Sequence, residues 1–174
     1  MLTIETRRML LTEAAETEID TILAMERHPE NRDFIWMGTE AEHRGEIHDP
    51  DCLLLLFLRR EDRAVLGYAL CCIDRKSHRF EVRRIVTQEK GQGYGREALK
   101  ALIRYAFTQL DTHRLWLDVY PDNLRGIRLY ESLGMHQDGV LRQNYLSDRG
   151  YLDQIIYSLL RSEYTAMESR FQEG

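Results

Sequence analysis

The spacing of apolar residues predicts alternating strands and helices along the chain. Continuous apolar runs and period-two alternation are typical of strands, whereas apolar residues three and four positions apart are typical of amphipathic helices. The predicted strands are residues 2–12, 52–60, 64–73, 79–87, 114–120, 136–146 and 150–160. The predicted helices are residues 15–27, 39–48 and 123–133, and a long helix that begins in a glycine-rich loop and extends to Leu110. This order predicts an α/β fold of the mixed α+β layer type.

The long helix carries the clearest pattern in the chain. Its apolar residues recur at helical spacing along one stripe, while charged residues face away, so the helix should cover one face of a sheet. The stripe consists of Ala98, Leu99, Leu102, Ile103, Ala106, Phe107 and Leu110. Charged segments at 60–63 and 147–150 separate pairs of predicted strands and therefore predict hairpin turns.

Composition narrows the classes of protein to which the chain can belong. With 174 residues, one domain is expected, and we predict a domain over 1–165 followed by a tail over 166–174. The balance of 24 Lys and Arg against 29 Asp and Glu leaves a net charge of −5, which gives no electrostatic footprint for nucleic acid or an anionic membrane. The longest apolar run, Leu53 to Leu58, is far too short to cross a bilayer.

Cysteine usage predicts a reducing compartment. The chain has three cysteines, an odd number, and the charged residues among its first eleven positions argue against a secretory signal. We therefore expect free thiols and a cytoplasmic protein.

The strongest local signal is the segment Lys90-Gly91-Gln92-Gly93-Tyr94-Gly95, which lies between a predicted strand and the long helix. Closely spaced glycines allow the backbone to approach an anion, and the first amides of a helix point their positive dipole end at it. The segment has neither the G-x-G-x-x-G spacing of a dinucleotide fold nor a P-loop ending, because Arg96 and Glu97 follow Gly95. It predicts a phosphate or pyrophosphate site, and a flexible turn is the alternative.

Two motifs resemble the GNAT N-acetyltransferase superfamily. The glycine loop is similar to the family's cofactor motif, Gln/Arg-x-x-Gly-x-Gly/Ala. Downstream, Asn123, Ile127 and the segment 129–135 resemble the family's Asn, Ala and Leu-Tyr-x-x-x-Gly-Phe series at the expected distance. Lys90, Ile127 and Met135 depart from the usual Gln or Arg, Ala and Phe, and none of these exchanges removes a reactive group.

The resemblance extends over nearly the whole chain. Segments 138–142 and 150–153 and the pair Glu163-Tyr164 are similar to the branch of ribosomal-protein alanine acetyltransferases and bacterial spermidine acetyltransferases. The resemblance implies a single-domain acyl-CoA N-acyltransferase fold whose central mixed sheet is splayed and flanked by helices. Dimers are common in this branch, so a homodimer is the candidate assembly, with the closing hairpin as a possible contact between subunits.

The resemblance also implies acetyl-CoA as co-substrate and names the residues that would hold it. The backbone of Arg83, Arg84 and Ile85 would follow the pantetheine arm, and Asn123 would bind the pantetheine or phosphate end. The residues implied around the pyrophosphate are Lys90, Gly91, Gln92, Gly93, Tyr94, Gly95 and Arg96. The acceptor would be a polyamine or other small amine, an amino sugar or a protein N-terminus. An acyl-CoA-binding sensor with little turnover is the alternative, and a purely structural subunit is a second one.

Tyr130 is, by resemblance, the general acid that protonates the departing CoA thiolate. A phenol with a pKa near 10 is protonated at neutral pH and is therefore able to donate. The alternative for Tyr130 is a core aromatic at helical spacing. Asn123 also has an alternative role, because Asn at the start of a helix is often an N-cap.

The acceptor amine must lose a proton before its lone pair can attack, so a base is needed. Glu81, on the strand before the glycine loop, is the candidate, and a surface ion pair with Arg83 or Arg84 is the alternative. Acetyl-cysteine chemistry at Cys71 or Cys72 is disfavoured, because neighbouring strand residues point to opposite faces and no His adjoins them. The six histidines show no metal-site spacing, so no metal is predicted.

Overall fold

The structure is a computed structural model that describes residues 1–172. Its centre is one mixed sheet of eight strands in the order β1-β2-β3-β4-β5-β6-β8-β7. The strands are β1 Thr3–Glu5, β2 Met9–Glu13, β3 Cys52–Arg59, β4 Val65–Asp74, β5 Arg79–Thr87, β6 Arg114–Val119, β7 His136–Ser147 and β8 Gly150–Leu160. The helices are α1 Ile19–Arg27, α2 Pro29–Arg32, α3 Glu40–His48, α4 Tyr94–Gln109, α5 Leu124–Ser132 and α6 Arg161–Ala166. The predicted mixed α/β architecture is confirmed.

The prediction of one strand over residues 2–12 is wrong. Two antiparallel strands, β1 and β2, occupy this region and are joined by a tight turn, in which the Thr6 amide donates to the Met9 carbonyl at 2.9 Å and the Met9 amide donates to the Thr6 hydroxyl at 2.9 Å. The polar sequence Thr6-Arg7-Arg8 interrupts the apolar alternation and forms this turn. The short helices α2 and α6 were not predicted, since four to six residues are too few to show a helical period.

Apolar clusters pack on both faces of the sheet. The apolar stripe of α4 is buried on one face against Phe80, Val82 and Leu115, among other residues. The opposite face packs against α1 through Ile22 and Met25. The long helix therefore covers one sheet face, as its pattern predicts, and both faces of the central strands are excluded from water.

A β-bulge at Arg83 reverses the facing of β5. Leu70 of β4 pairs with Arg84, whereas the next residue, Cys71, pairs with Val82, so Arg83 is the extra residue. Before the bulge Val82 faces the α4 side, and after it Arg84 and Val86 face the α1 side. A single inserted residue thus directs a charged side chain into the layer beneath α1.

The sheet splits between β5 and β6, its one parallel pair. These strands are paired only where Arg79, Phe80 and Glu81 lie beside Arg114, Leu115 and Trp116. Beyond these residues β5 continues to Thr87 and β6 to Val119, but the two strands no longer pair with each other. A cleft of about 1090 Å³ opens between them. Backbone groups along this gap are free to pair with a bound molecule.

The last described residues pack against the back of α4. Tyr164 stacks on Phe107 with ring centroids 4.8 Å apart, and Phe171 is buried beside Tyr164. The predicted boundary between residues 165 and 166 stays a prediction, and positions 173–174 of the predicted tail lie outside the described residues. Within residues 1–172, no helix has both the length and the apolar character needed to cross a membrane.

Candidate active site

The cleft between β5 and β6 brings together most of the residues singled out from the sequence. It is lined by β5 from Glu81 to Thr87, by the glycine loop, by the first turn of α4, by the end of β6 and by α5. Residues 34–36 and the β7–β8 hairpin form its far side. Of the predicted site residues, the lining contains Glu81, Arg83, Arg84, Ile85, Lys90, Gly91, Gly93, Tyr94, Gly95, Arg96, Asn123 and Tyr130.

The glycine loop adopts a conformation that requires glycine. Gly91 and Gly93 have φ values of +74° and +81°, in the left-handed region that side chains disfavour. Gly93 is the N-cap residue of α4, has no side chain to cap the helix, and accepts the first helical hydrogen bond from the Glu97 amide at 3.1 Å. Within residues 1–172 the amides of Tyr94, Gly95 and Arg96 have no acceptor. They form the unpaired, positive end of a 16-residue helix that opens on the cleft.

Arg8, in the turn between β1 and β2, braces this loop. Its Nε pairs with Glu97 Oε2 at 2.7 Å, its Nη1 donates to the Gln92 carbonyl at 2.9 Å, and its guanidinium lies 4.4 Å from the ring centroid of Tyr94. The Thr6 hydroxyl donates to the other Glu97 oxygen at 2.7 Å. These contacts span some 90 positions of sequence, so no local motif predicts them.

Lys90 is engaged by the protein rather than projecting freely into the cleft. Its Nζ donates to Asn31 Oδ1 and, at 2.7 Å, to the Thr87 carbonyl. Burial and, second, the nearby Arg125 lower the pKa of Lys90. Arg125 and Arg128 also line the cleft and were missed from the sequence, although their three-residue spacing on α5 after Asn123 places them on one helix face.

The three residues implied along the pantetheine arm have different side-chain environments. Arg83 Nη2 pairs with Glu81 Oε2 at 2.8 Å, whereas Arg84 turns away into the layer beneath α1, and Ile85 is half-buried against the α4 core. The ion pair between Glu81 and Arg83, the alternative considered from the sequence, is present. Glu81 nevertheless lines the cleft.

Arg84 belongs to a buried ionic cluster. Its Nη1 lies 3.0 Å from Glu26 Oε1 and its Nη2 lies 3.3 Å from Glu46 Oε1. His43 contacts the same two carboxylates, with Nε2 3.2 Å from Glu26 and Nδ1 2.7 Å from Glu46, and the Tyr68 hydroxyl donates to Glu26. Burial by itself lowers the pKa of His43, but the two carboxylates outweigh it and raise that pKa to about 9. Two cations therefore balance two anions beneath the cleft.

Tyr130 and Asn123 are positioned by α5. Tyr130 is only 6% exposed, and burial, with a smaller effect of the charge on Asp118, raises its pKa well above the ordinary value. The phenol therefore stays protonated over the physiological range. Asn123 caps α5, because its Oδ1 accepts from the Gly126 amide at 3.0 Å, as the N-cap alternative anticipates. Both side chains line the same cleft.

The cysteines lie along β3 and β4. Cys71 is fully buried, and burial raises the pKa of its thiol. The pKa of the Cys72 thiol is raised to about 12, again chiefly by burial. Thiols of this kind are poor nucleophiles at neutral pH. Over the part of the chain that the structure describes, no group of three or more His, Cys, Asp or Glu residues is arranged to hold a metal ion.

Comparisons with known proteins agree with this geometry. The family described as "Acetyltransferase (GNAT) domain" matches residues 8–136. The N-acetyltransferase p20 of Bacillus licheniformis is 28% identical over 134 residues, which are 76% of this chain and 73% of p20. A spermidine N(1)-acetyltransferase of Vibrio cholerae is 29% identical over 80 residues, and the match spans 46% of each chain.

Solved structures show the same fold. A GCN5-related N-acetyltransferase from Brucella melitensis superimposes with a TM-score of 0.80 at 20% identity, covering 98% of this chain and 84% of the other. The N152L mutant of the spermidine N-acetyltransferase SpeG from Vibrio cholerae gives 0.79 at 20% identity, covering 92% and 98%. The family match spans most of the chain, including the glycine loop and Tyr130, and the chain belongs to the GNAT acetyltransferase family and is an acyltransferase enzyme.

Proposed function

We propose that the enzyme transfers the acetyl group of acetyl-CoA directly to a primary amine. The acceptor is a polyamine or other small amine, an amino sugar or a protein N-terminus, and relatives named spermidine N(1)-acetyltransferase make spermidine one member of the test panel. We also keep the predictions of a cytoplasmic location and a homodimer.

One observation carries the proposal. The unpaired amides of Tyr94, Gly95 and Arg96 open on the same cleft as the protonated phenol of Tyr130. A helix N-terminus without a side-chain cap favours a diphosphate, and the guanidinium groups of Arg96, Arg125 and Arg128 add cations around it. The residues present therefore fit the diphosphate of acetyl-CoA at one end and its thioester at the other.

In the proposed reaction acetyl-CoA supplies the activated acyl group as a thioester. The backbone along Arg83 to Ile85, exposed where β5 leaves β6, pairs with the pantetheine arm and orients the carbonyl. Glu81 accepts a proton from the acceptor amine through the carboxylate oxygen not paired with Arg83. The nitrogen forms a bond to the carbonyl carbon and releases its second proton to solvent, the carbon–sulfur bond breaks, and Glu81 passes its own proton to solvent. Tyr130 donates its proton to the sulfur and regains one from solvent.

Two measurements test this function. Calorimetry should detect CoA binding, and thiol release from acetyl-CoA should rise above the hydrolysis background when amines are added, with a mass gain of one acetyl group on the acceptor. The amine panel contains 2-phenylethylamine, n-propylamine, spermidine, glucosamine and a short peptide with a free N-terminus. If CoA does not bind, the assignment of the Tyr94, Gly95 and Arg96 amides as a diphosphate site is wrong. If CoA binds and no amine stimulates thiol release, catalysis fails and the sensor alternative takes its place.

A further inference from the structure

Asp118 on β6 is held in a fixed orientation at the acceptor side of the cleft. Its Oδ2 accepts from Gln154 Nε2 at 2.7 Å, and Gln154 Oε1 in turn accepts from Asn144 Nδ2 at 2.5 Å. This chain of neutral amides, from β8 and β7, fixes which way both Gln154 and the carboxylate point. Asp118 lies two residues beyond Trp116, the partner of Glu81, so it stands just past the point where the strands separate.

The carboxylates that line the cleft differ in their partners. Glu81, Glu89 and Asp122 each pair with an arginine, namely Arg83, Arg59 and Arg149, at 2.8, 2.6 and 2.6 Å. Glu30 is exposed near Lys90, at the glycine-loop end. Among residues 1–172, Asp118 has no ion pair and is bonded only to the neutral Gln154. Asp118 is therefore a carboxylate of the cleft lining, beside Tyr120, that has no cation within ion-pair distance among the described residues.

Aromatic and apolar side chains surround this charge. Tyr120 and Tyr145 stack with centroids 5.7 Å apart, and Trp36 lies 6.4 Å from Tyr145. Phe34 and Leu141 also line the cleft, and Phe34, Trp36 and Leu141 are 37%, 45% and 46% exposed. Large apolar side chains that two separate segments leave exposed around one cavity indicate a ligand with an apolar body.

Arg149 links three segments that lie around the cleft. It lies in the turn between β7 and β8, and its guanidinium binds Asp122 at 2.6 Å and the Asp33 carbonyl at 2.5 Å. These contacts tie the hairpin tip to the start of α5 and to the segment after α2. The acceptor end is therefore walled by side chains from four parts of the chain and suits a small molecule.

We infer that the acceptor end of the cleft is a subsite for a primary monoamine with a flat apolar body, in which Asp118 binds the ammonium group and Trp36, Tyr120 and Tyr145 contact the body. This inference rests on the proposed function and names its substrate class. The aromatic rings match a flat apolar body, whereas the chain of a polyamine has no ring to stack on them, and the hydroxyl groups of an amino sugar would lose hydrogen bonds to water.

Amine binding to the CoA-saturated enzyme, measured by calorimetry, tests the inference without relying on turnover. We expect 2-phenylethylamine to bind at least about tenfold more tightly than spermidine or glucosamine, because it alone has an aromatic ring that can pack against Trp36, Tyr120 and Tyr145. Asp118→Asn retains an acceptor for Gln154 but lacks the charge, so it should weaken 2-phenylethylamine binding about 10- to 100-fold. Asp20→Asn, an exposed carboxylate on α1, is the matched control and should bind as the wild type does.

A comparison of two ligands tests the role of the aromatic side chains Trp36, Tyr120 and Tyr145. Trp36→Leu should weaken the binding of 2-phenylethylamine and leave n-propylamine, the same ammonium group without a ring, nearly unchanged. Tighter binding of spermidine, or full 2-phenylethylamine affinity in Asp118→Asn, would overturn the inference. Either result is compatible with normal CoA binding and thiol release, so it would leave the proposed function intact. Loss of CoA binding in the wild type would instead refute the proposed function.

Discussion

The two ends of the cleft are built in different ways. At the glycine-loop end, the proposed anion seat is made of consecutive backbone amides, from Tyr94 to Arg96, and needs no particular side chain. At the acceptor end, the lining side chains of Trp36, Asp118 and Tyr145 come from three separate segments of the chain. A backbone site changes little when its side chains change, whereas a side-chain site changes with each substitution. We therefore expect the first end to resist substitution, glycine excepted, and the second end to determine specificity.

The largest expected effect is on the rate of acetyl transfer and concerns Tyr130, which lines the cleft between its two ends. Tyr130→Phe removes the proton donor but keeps the ring, so thiol release in the presence of amine should fall about 100-fold or more, with CoA affinity unchanged. Tyr157→Phe is the control, because its ring lies 6.0 Å from that of Tyr130 and its hydroxyl contacts Glu131 instead. Equal loss of CoA affinity and turnover in Tyr130→Phe would assign Tyr130 to the core alone.

The next prediction tests whether the backbone amides from Tyr94 to Arg96 bind the diphosphate of CoA. Gly93→Val forces a β-branched side chain into the left-handed region and places Cβ beside the anion site, so CoA affinity should fall about 10- to 100-fold. Gly150→Val carries the same backbone strain, at φ +91°, in the hairpin turn, where a Cβ meets open space. Its CoA affinity should match the wild type. If both variants lose affinity alike, strain in the fold rather than contact with the anion is responsible.

A third prediction concerns the buried cluster beneath the cleft. Because the folded protein raises the pKa of His43 from 6.5 to about 9, the protonated imidazole stabilises the fold fully below pH 6.5, and this contribution is lost as pH rises through 9. The loss should reach about 3 kcal/mol in the free energy of unfolding, measured by urea denaturation at several pH values. His43→Gln should remove this pH dependence, and His78→Gln, at an exposed position, should retain it. An unchanged pH profile in His43→Gln would show that His43 is neutral in the fold.

The smallest effect separates the two roles of Asn123. Asn123→Ala removes the cap of α5 and should lower the free energy of unfolding by about 1 kcal/mol, whereas Asn123→Ser keeps a capping oxygen and should preserve it. Both variants lack the amide NH₂ group and should weaken CoA binding about threefold if that group binds the cofactor. Normal CoA affinity in both variants would leave Asn123 as a cap only.

Much of the fold could be predicted from the sequence, because most strands and helices are long enough to show a period. The apolar stripe of α4 and the strands β3, β4, β5 and β8 agree with their predicted ranges to within one or two residues. The first strand was predicted wrongly because three polar residues suffice to form a turn. An interruption this short is difficult to distinguish from the normal variation of an apolar alternation. The short α2 and α6 lack a period altogether.

For the site, the sequence by itself singled out the glycine loop, Asn123 and Tyr130, because each belongs to a motif of neighbouring residues, and the structure places them on one cleft. Their roles in CoA binding and proton transfer stay predictions. Only the tertiary structure decided that Arg8 braces the loop, that a bulge at Arg83 directs Arg84 beneath α1, and that Asp118 lacks a cationic partner. These features depend on strand register and on contacts between distant segments. Periodicity carries no information about either, since it reports which face a residue occupies and not what lies opposite.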